Sequence, residues 1–306
     1  MFATLLGCLP RPVDDLDRAI ELVVRAQEDA GLEPITDGRL RDPNLQSISA
    51  LDIWRFAAGL TERAVKQALP GPYSLGWRLD SGPADRTSRT SRASRTLAMA
   101  EALAAEIDAL ARAGCPLVEI EESEAHRIGE DEGERRLFRE AHRRLTEGSG
   151  PGGEVHLSLS IVGGSAAEAG VETVLEAPYA SLAVDLIAGP DNWNLVTRVP
   201  GDRGIVAGAL SGREIDEGKE VLLWAAHYAA SSGGRGLVRV GLGSAGSWAN
   251  LSWEVAVRRM RLLGEAARLA SLPPSEDLAR SLDPRSISSR RAALGHGAPA
   301  SPRRPR

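Results

Sequence analysis

Along the chain, short runs of aliphatic and β-branched residues alternate with longer stretches in which apolar side chains recur every three or four positions. The short runs predict strands at Ala3–Leu9, Glu33–Asp37, Tyr73–Trp77, Pro116–Glu121, Glu154–Ile161, Ala180–Ile187, Gly204–Leu210 and Leu237–Leu242. Amphipathic helices are predicted between them, among others at Val13–Ala30, Ala50–Leu69, Leu97–Ala113, Glu134–Thr146, Ile215–Ala230 and Trp253–Leu272. Eight such β-α pairs in about 270 residues describe an α/β fold of one kind, a single (β/α)8 TIM barrel over residues 1–272. In that architecture the functional groups sit just after the strands, which fixes where to look.

Two segments fall outside the alternation. Arg86–Arg95 repeats Arg, Thr and Ser and reads as a basic loop after the third strand, either a solvated connection or a cover that clamps an anion with its guanidinium groups. The end of the chain, 273–306, is rich in Ser, Pro and Arg and poor in apolar residues, so burial cannot offset its ordering entropy and it is predicted to be disordered.

Composition narrows the function. Hydrophobic residues make up 42% and charged residues 26%, the balance of a globular protein, and no apolar run approaches the roughly 20 residues needed to cross a bilayer. Met1–Pro12 has no basic leader and no small-residue cleavage site, so it reads as a strand and the expected compartment is the cytoplasm. A net charge of −5 gives no general attraction to nucleic acid. Two cysteines, Cys8 and Cys115, are too few for a disulfide framework or a Cys-rich metal site. Nothing in the chain sets an oligomeric state.

Several segments, in order, resemble one family. Gly7-Cys8-Leu9-Pro10-Arg11, Ile35-Thr36-Asp37-Gly38, Gly71-Pro72-Tyr73-Ser74, Ala113-Gly114-Cys115 with Ile120-Glu121-Glu122, Val155-His156-Leu157-Ser158, Leu182-Ala183-Val184-Asp185 and Leu251-Ser252-Trp253-Glu254 are similar to successive motifs of the cobalamin-independent methionine synthases. The resemblance covers about residues 3–272. It implies a barrel, a zinc-bound thiolate as methyl acceptor and a folate as donor. Carried over residue by residue, it leaves His156 as a zinc ligand, puts Ser158 and Ser244 where the family has cysteines, and puts Asp185 in place of a glutamate. Serine hydroxyls are poor zinc ligands at neutral pH, so zinc and folate are possible by resemblance while the zinc ligands are not retained. The family's acid that holds a substrate ammonium is Arg39 here, which reverses the charge preference toward a small anionic or amino-acid-like substrate.

The chemistry left at the expected mouth is acid-base. His156, Asp185, Glu121, Glu122 and His126 are candidate catalytic groups, and Gly7, Cys8, Asp37, Arg39, Tyr73, Trp77, Ser158 and Ser244 are candidate substrate contacts. His126 also reads as a solvated loop residue and His156 as a hydrogen-bonded core histidine. Glu121 and Glu122 point to opposite faces of one strand, and Tyr73, Trp77, Trp193 and Trp248 either stack on a ligand or pack. Three functions are compatible. One is a repurposed barrel enzyme without zinc-thiolate activation. The second is a methyl or alkyl transferase to a thiol or amine, using iron or manganese held by His156, Asp185 and a Glu. The third is a non-catalytic binding barrel.

Overall fold

A computed structural model describes residues 1–80, 89–147, 155–213 and 218–272. Seven parallel strands, β1 (Phe2–Thr4), β2 (Lys66–Pro70), β3 (Leu117–Glu122), β4 (His156–Ile161), β5 (Ser181–Asp185), β6 (Gly204–Ser211) and β7 (Val240–Ala245), form one sheet in the order β1-β7-β6-β5-β4-β3-β2. The helices are α1 (Leu16–Asp29), α2 (Leu51–Ala58), α3 (Pro72–Asp80), α4 (Arg89–Arg112), α5 (Glu132–Thr146), α6 (Val171–Leu175), α7 (Trp193–Arg198), α8 (Lys219–Ser231) and α9 (Trp253–Ala270). The sheet is barrel-like, but it is not the closed eight-stranded barrel that the periodicity predicts.

The missing strand is the expected second one. Glu33–Asp37 is reduced to a single parallel bridge, Ile35 to Val65, and it links the two sheet edges through Glu33 N–H to the Ala3 carbonyl (2.9 Å) and Lys66 N–H to the Ile35 carbonyl (2.9 Å). Pro34 has no N–H to donate. The buried Gln27 side chain takes both backbone groups of Thr36, accepting from its N–H at 3.0 Å and donating to its carbonyl at 2.8 Å. One side chain thus does the work of a neighbouring strand.

The third strand lies earlier than predicted. Tyr73–Trp77 is part of α3, and the strand is Lys66–Pro70, whose first four residues fall in the stretch read as helix. Pro72 suits the first turn of a helix, and Glu122 caps that turn by accepting from Tyr73 N–H (3.0 Å) and Ser74 N–H (2.8 Å). Lys66 and Gln67 concealed the strand, because both are polar and both are buried.

Two apolar layers sandwich the sheet. Val118, Ile120, Leu157, Leu159, Leu182, Val184, Ile205 and Leu242 face the helices in the main core. Alternate positions face inward, where Leu6, Ala183 and Val206 with Phe2 form a separate cluster. The helices follow from amphipathic stripes and N-caps: Asp15 for α1, Asp131 for α5 and Ser252 for α9 each accept from the first turn. No helix among the described residues is long and apolar enough to cross a membrane.

The basic repeat is not a loop where it is described. Arg89–Arg95 belongs to α4, and Arg92 is buried, ion-paired with Glu134 and 4.2 Å above the Trp77 ring. Residues 86–88 and the tail 273–306 lie outside the described residues.

Candidate active site at the carboxyl ends of the strands

The inward and upper positions gather a charged cluster. Arg39, held at φ +55° just after the bridging segment, donates from Nη1 to Glu121 Oε2 at 2.6 Å and from Nη2 to the Pro43 carbonyl at 3.1 Å. Its buried Nε–H has no partner among the described residues. Asp37 accepts from Arg39 N–H at 2.9 Å, and burial pushes its carboxyl pKa up, opposed by the nearby Arg39 and Arg41 charges. Arg78 ties the rim together, donating to the carbonyls of Asn44 (2.8 Å) and Leu45 (3.0 Å) and to Ser123 Oγ (2.7 Å). The pairing with Glu121 neutralises much of the Arg39 charge, so the reversal expected from sequence is local to the open Nε edge.

Asp185, at the end of β5, spends one oxygen on its own turn by accepting from Ile187 N–H (2.9 Å) and Ala188 N–H (2.8 Å). Gly7, at φ +80°, lets the chain pass Ser247, since a Cβ there would lie 2.6 Å from the Ser247 nitrogen. Cys8 is buried behind this turn, and burial raises its thiol pKa. His126 is exposed, with Nδ1 3.1 Å from the Ser123 carbonyl. Ser160, which sequence reasoning passed over, is wholly buried on the inner face between Glu121 and Ala183, and its hydroxyl has no partner among the described residues. Only the strand register could have singled it out, because Ser158 and Ser160 share a face.

Other expected site residues lie elsewhere. Glu122 points to the helix layer, where it caps α3 and meets His142 Nε2 at 3.0 Å, while His142 Nδ1 meets the Tyr179 hydroxyl at 2.6 Å. Tyr73 is buried in α3 and donates to Glu134 Oε2 at 2.8 Å. Trp77 packs under Arg92 and Arg127. Trp193 packs against Trp224 and Tyr228, and Trp248 is buried. The Ser244 hydroxyl donates to the Leu6 carbonyl (2.8 Å) and accepts from Leu6 N–H (2.7 Å), bridging β7 to the end of β1.

His156 corrects the sequence reading most sharply. It opens β4 at the amino ends of the strands, away from the expected mouth, and its Nε2 lies 2.8 Å from Ser181 Oγ at the start of β5. Asp185 is four residues further along β5, about 13 Å at a strand rise of about 3.3 Å per residue. His156 and Asp185 therefore cannot ligate one ion. No group of three or more His, Cys, Asp or Glu among the described residues is placed to hold a metal. Of the residues the resemblance places at a metal, Ser158 lies at mid-strand on β4 and Ser244 is bonded to the Leu6 backbone, while burial holds Cys115 up at about 11 in the helix-facing core.

A parallel α/β sheet with a charged cluster beyond its strand ends defines a barrel-type scaffold. No family model matches the chain, and no curated protein matches it in sequence. Solved structures do resemble it. A B12-independent methionine synthase from Shewanella sp. W3-18-1, in complex with selenomethionine, superposes with a TM-score of 0.73 at 14% identity, covering 87% of this chain and 96% of that one. A putative vitamin-B12 independent methionine synthase from Listeria monocytogenes gives 0.67 at 15%, covering 89% and 98%. A methyltransferase from Methanosarcina mazei gives 0.53 at 10%, covering 88% and 93%. At these identities the likeness is one of fold.

Proposed function

We propose that the chain is an enzyme of the methionine-synthase-like barrel type that binds a small anionic or amino-acid-like molecule at the carboxyl ends of its strands. In this reading it moves protons there without a zinc-bound thiolate. The observation that carries the reading is the buried Asp37–Arg39–Glu121 constellation. Arg39 is held rigid by Glu121 and by the Pro43 carbonyl, yet keeps one buried N–H unanswered. The space beside Asp37 and Arg39 is about 10 Å³, room for one oxygen atom, so a substrate carboxylate meets that donor through a single oxygen in a charge-assisted hydrogen bond. Asp37, whose carboxyl is pushed up by burial and held by the Arg39 N–H, is the proton-transfer group beside it. The fold likeness to a protein that holds selenomethionine agrees with a ligand of amino-acid size.

Calorimetric titration of full-length protein with succinate and with L-methionine tests this. At least one should bind, and Arg39→Lys should weaken it about tenfold or more, because an ammonium lacks the guanidinium fork. Equal binding by Arg39→Lys and wild type would move the site elsewhere and favour a non-catalytic barrel. Elemental analysis of the same protein bears on the metal: stoichiometric zinc retained in His156→Ala would overturn the zinc-free chemistry.

A further inference from the structure

The inner face has a second open end. Below the cluster of Leu6, Ala183 and Val206, at the amino ends of the strands, lies a cavity of about 450 Å³. That volume is in the range of sites that hold small organic ligands, roughly 300–1,000 Å³. It exists because the inward residues of this layer are small: Ser158 on β4, Ser181 on β5 and Gly204 on β6 stand side by side in register. Barrel interiors are ordinarily filled by bulky branched side chains at such positions.

The cavity is also polar in a specific way. Lys66 Nζ and Glu119 Oε2 form an ion pair at 2.6 Å, with the two side chains only 2% and 3% exposed. A pair this dry is no better for stability than apolar residues of the same size, and nothing at the carboxyl end of the strands uses it. The Lys66 ammonium has three protons and makes one hydrogen bond among the described residues. Ser158 Oγ has no partner among the described residues, and the His156–Ser181 pair stands at the same level. Phe2, Leu117, Val206 and the exposed Val238 supply apolar wall. Charge balances throughout: Lys66 against Glu119 inside, Arg239 and Asp202 at the mouth.

We propose that this cavity is a second binding site, separate from the carboxyl-end cluster, for an uncharged small molecule with an apolar body and a hydroxyl or carbonyl head. The head meets the spare Lys66 protons and Ser158, and the body lies on Phe2, Leu117 and Val206. A ligand bearing net charge would be disfavoured, because the buried pair already neutralises itself and a third charge would be desolvated without a partner.

Three probes with one body and different heads test this on the full-length protein: cinnamyl alcohol, cinnamate and cinnamylamine. Binding is read from the His156 imidazole resonances, and a crystal soaked with the alcohol locates it. The alcohol should shift His156 saturably, bind at least about tenfold more tightly than either charged analogue, and appear in the cavity. Ser158→Leu, which fills the space, should abolish binding, and the soaked wild-type crystal decides independently if that variant does not fold. The proposal is overturned if the alcohol gives no saturable shift, if a charged analogue binds as well, if the alcohol lies outside the cavity, or if folded Ser158→Leu binds unchanged.

Discussion

Replacing Lys66 by Met removes one member of an ion pair buried to 2% and 3% exposure, leaving the Glu119 carboxylate alone inside the sheet. At an effective dielectric of about 20, two unit charges about 4 Å apart attract by about 4 kcal/mol. Breaking a buried pair by removing one partner costs about 3–5 kcal/mol, because the survivor stays desolvated. Water entering the adjoining cavity relieves part of this, which places Lys66→Met near the lower end, about 3 kcal/mol. For a chain of this size that is a fall in Tm of roughly 6 °C. Lys66→Met combined with Glu119→Leu removes both charges and should return to within about 1 kcal/mol of wild type. Urea unfolding followed by circular dichroism, run as a double-mutant cycle, measures the coupling directly, and about 2 kcal/mol or more is expected. Coupling below about 0.5 kcal/mol is what a solvated surface pair gives, and it would refute the claim that this pair is dry.

Three further outcomes are expected. Asp37 has a folded pKa raised above its ordinary 3.8, so its contribution to stability is fully present below that value and is lost as pH rises through the folded pKa. Asp37→Asn should therefore stabilise the protein at pH 7 relative to wild type, with the gain vanishing toward pH 3, as read from thermal melts across pH. Glu122→Ala strips the cap from α3 and leaves His142 without its acceptor, so a loss of about 3 kcal/mol is expected in urea titration, with Glu122→Gln intermediate. Gly7→Ala places a Cβ 2.6 Å from the Ser247 nitrogen at a positive φ, and should lower stability by about 2 kcal/mol or more, whereas Gly31→Ala meets nothing within 4 Å and carries only the cost of its φ of +74°.

Sequence alone determined the α/β class, the parallel arrangement and most of the helices, because burial on one stripe or one face imprints a period that survives local irregularity. β3, β4, β5 and β6 lie within a few residues of their expected places, since each is an apolar or alternating run between turn residues. Asp37, Arg39, Glu121 and Asp185 were legible as rim residues because they directly follow or end such runs. Tertiary structure alone decided the remainder. The strand at Lys66–Pro70 carries a buried lysine and glutamine whose partners, Glu119 and the neighbouring backbone, are distant in sequence or hidden by it. The second strand collapsed to one bridge because Gln27, nine residues upstream of Thr36, took over its hydrogen bonds. His156 changed ends because a run of alternating residues tells which side chains share a face, while the point at which the strand enters the sheet is set by its neighbours. Period is a local property of the chain; register and depth are properties of pairs, and pairs exist only once the chain has folded.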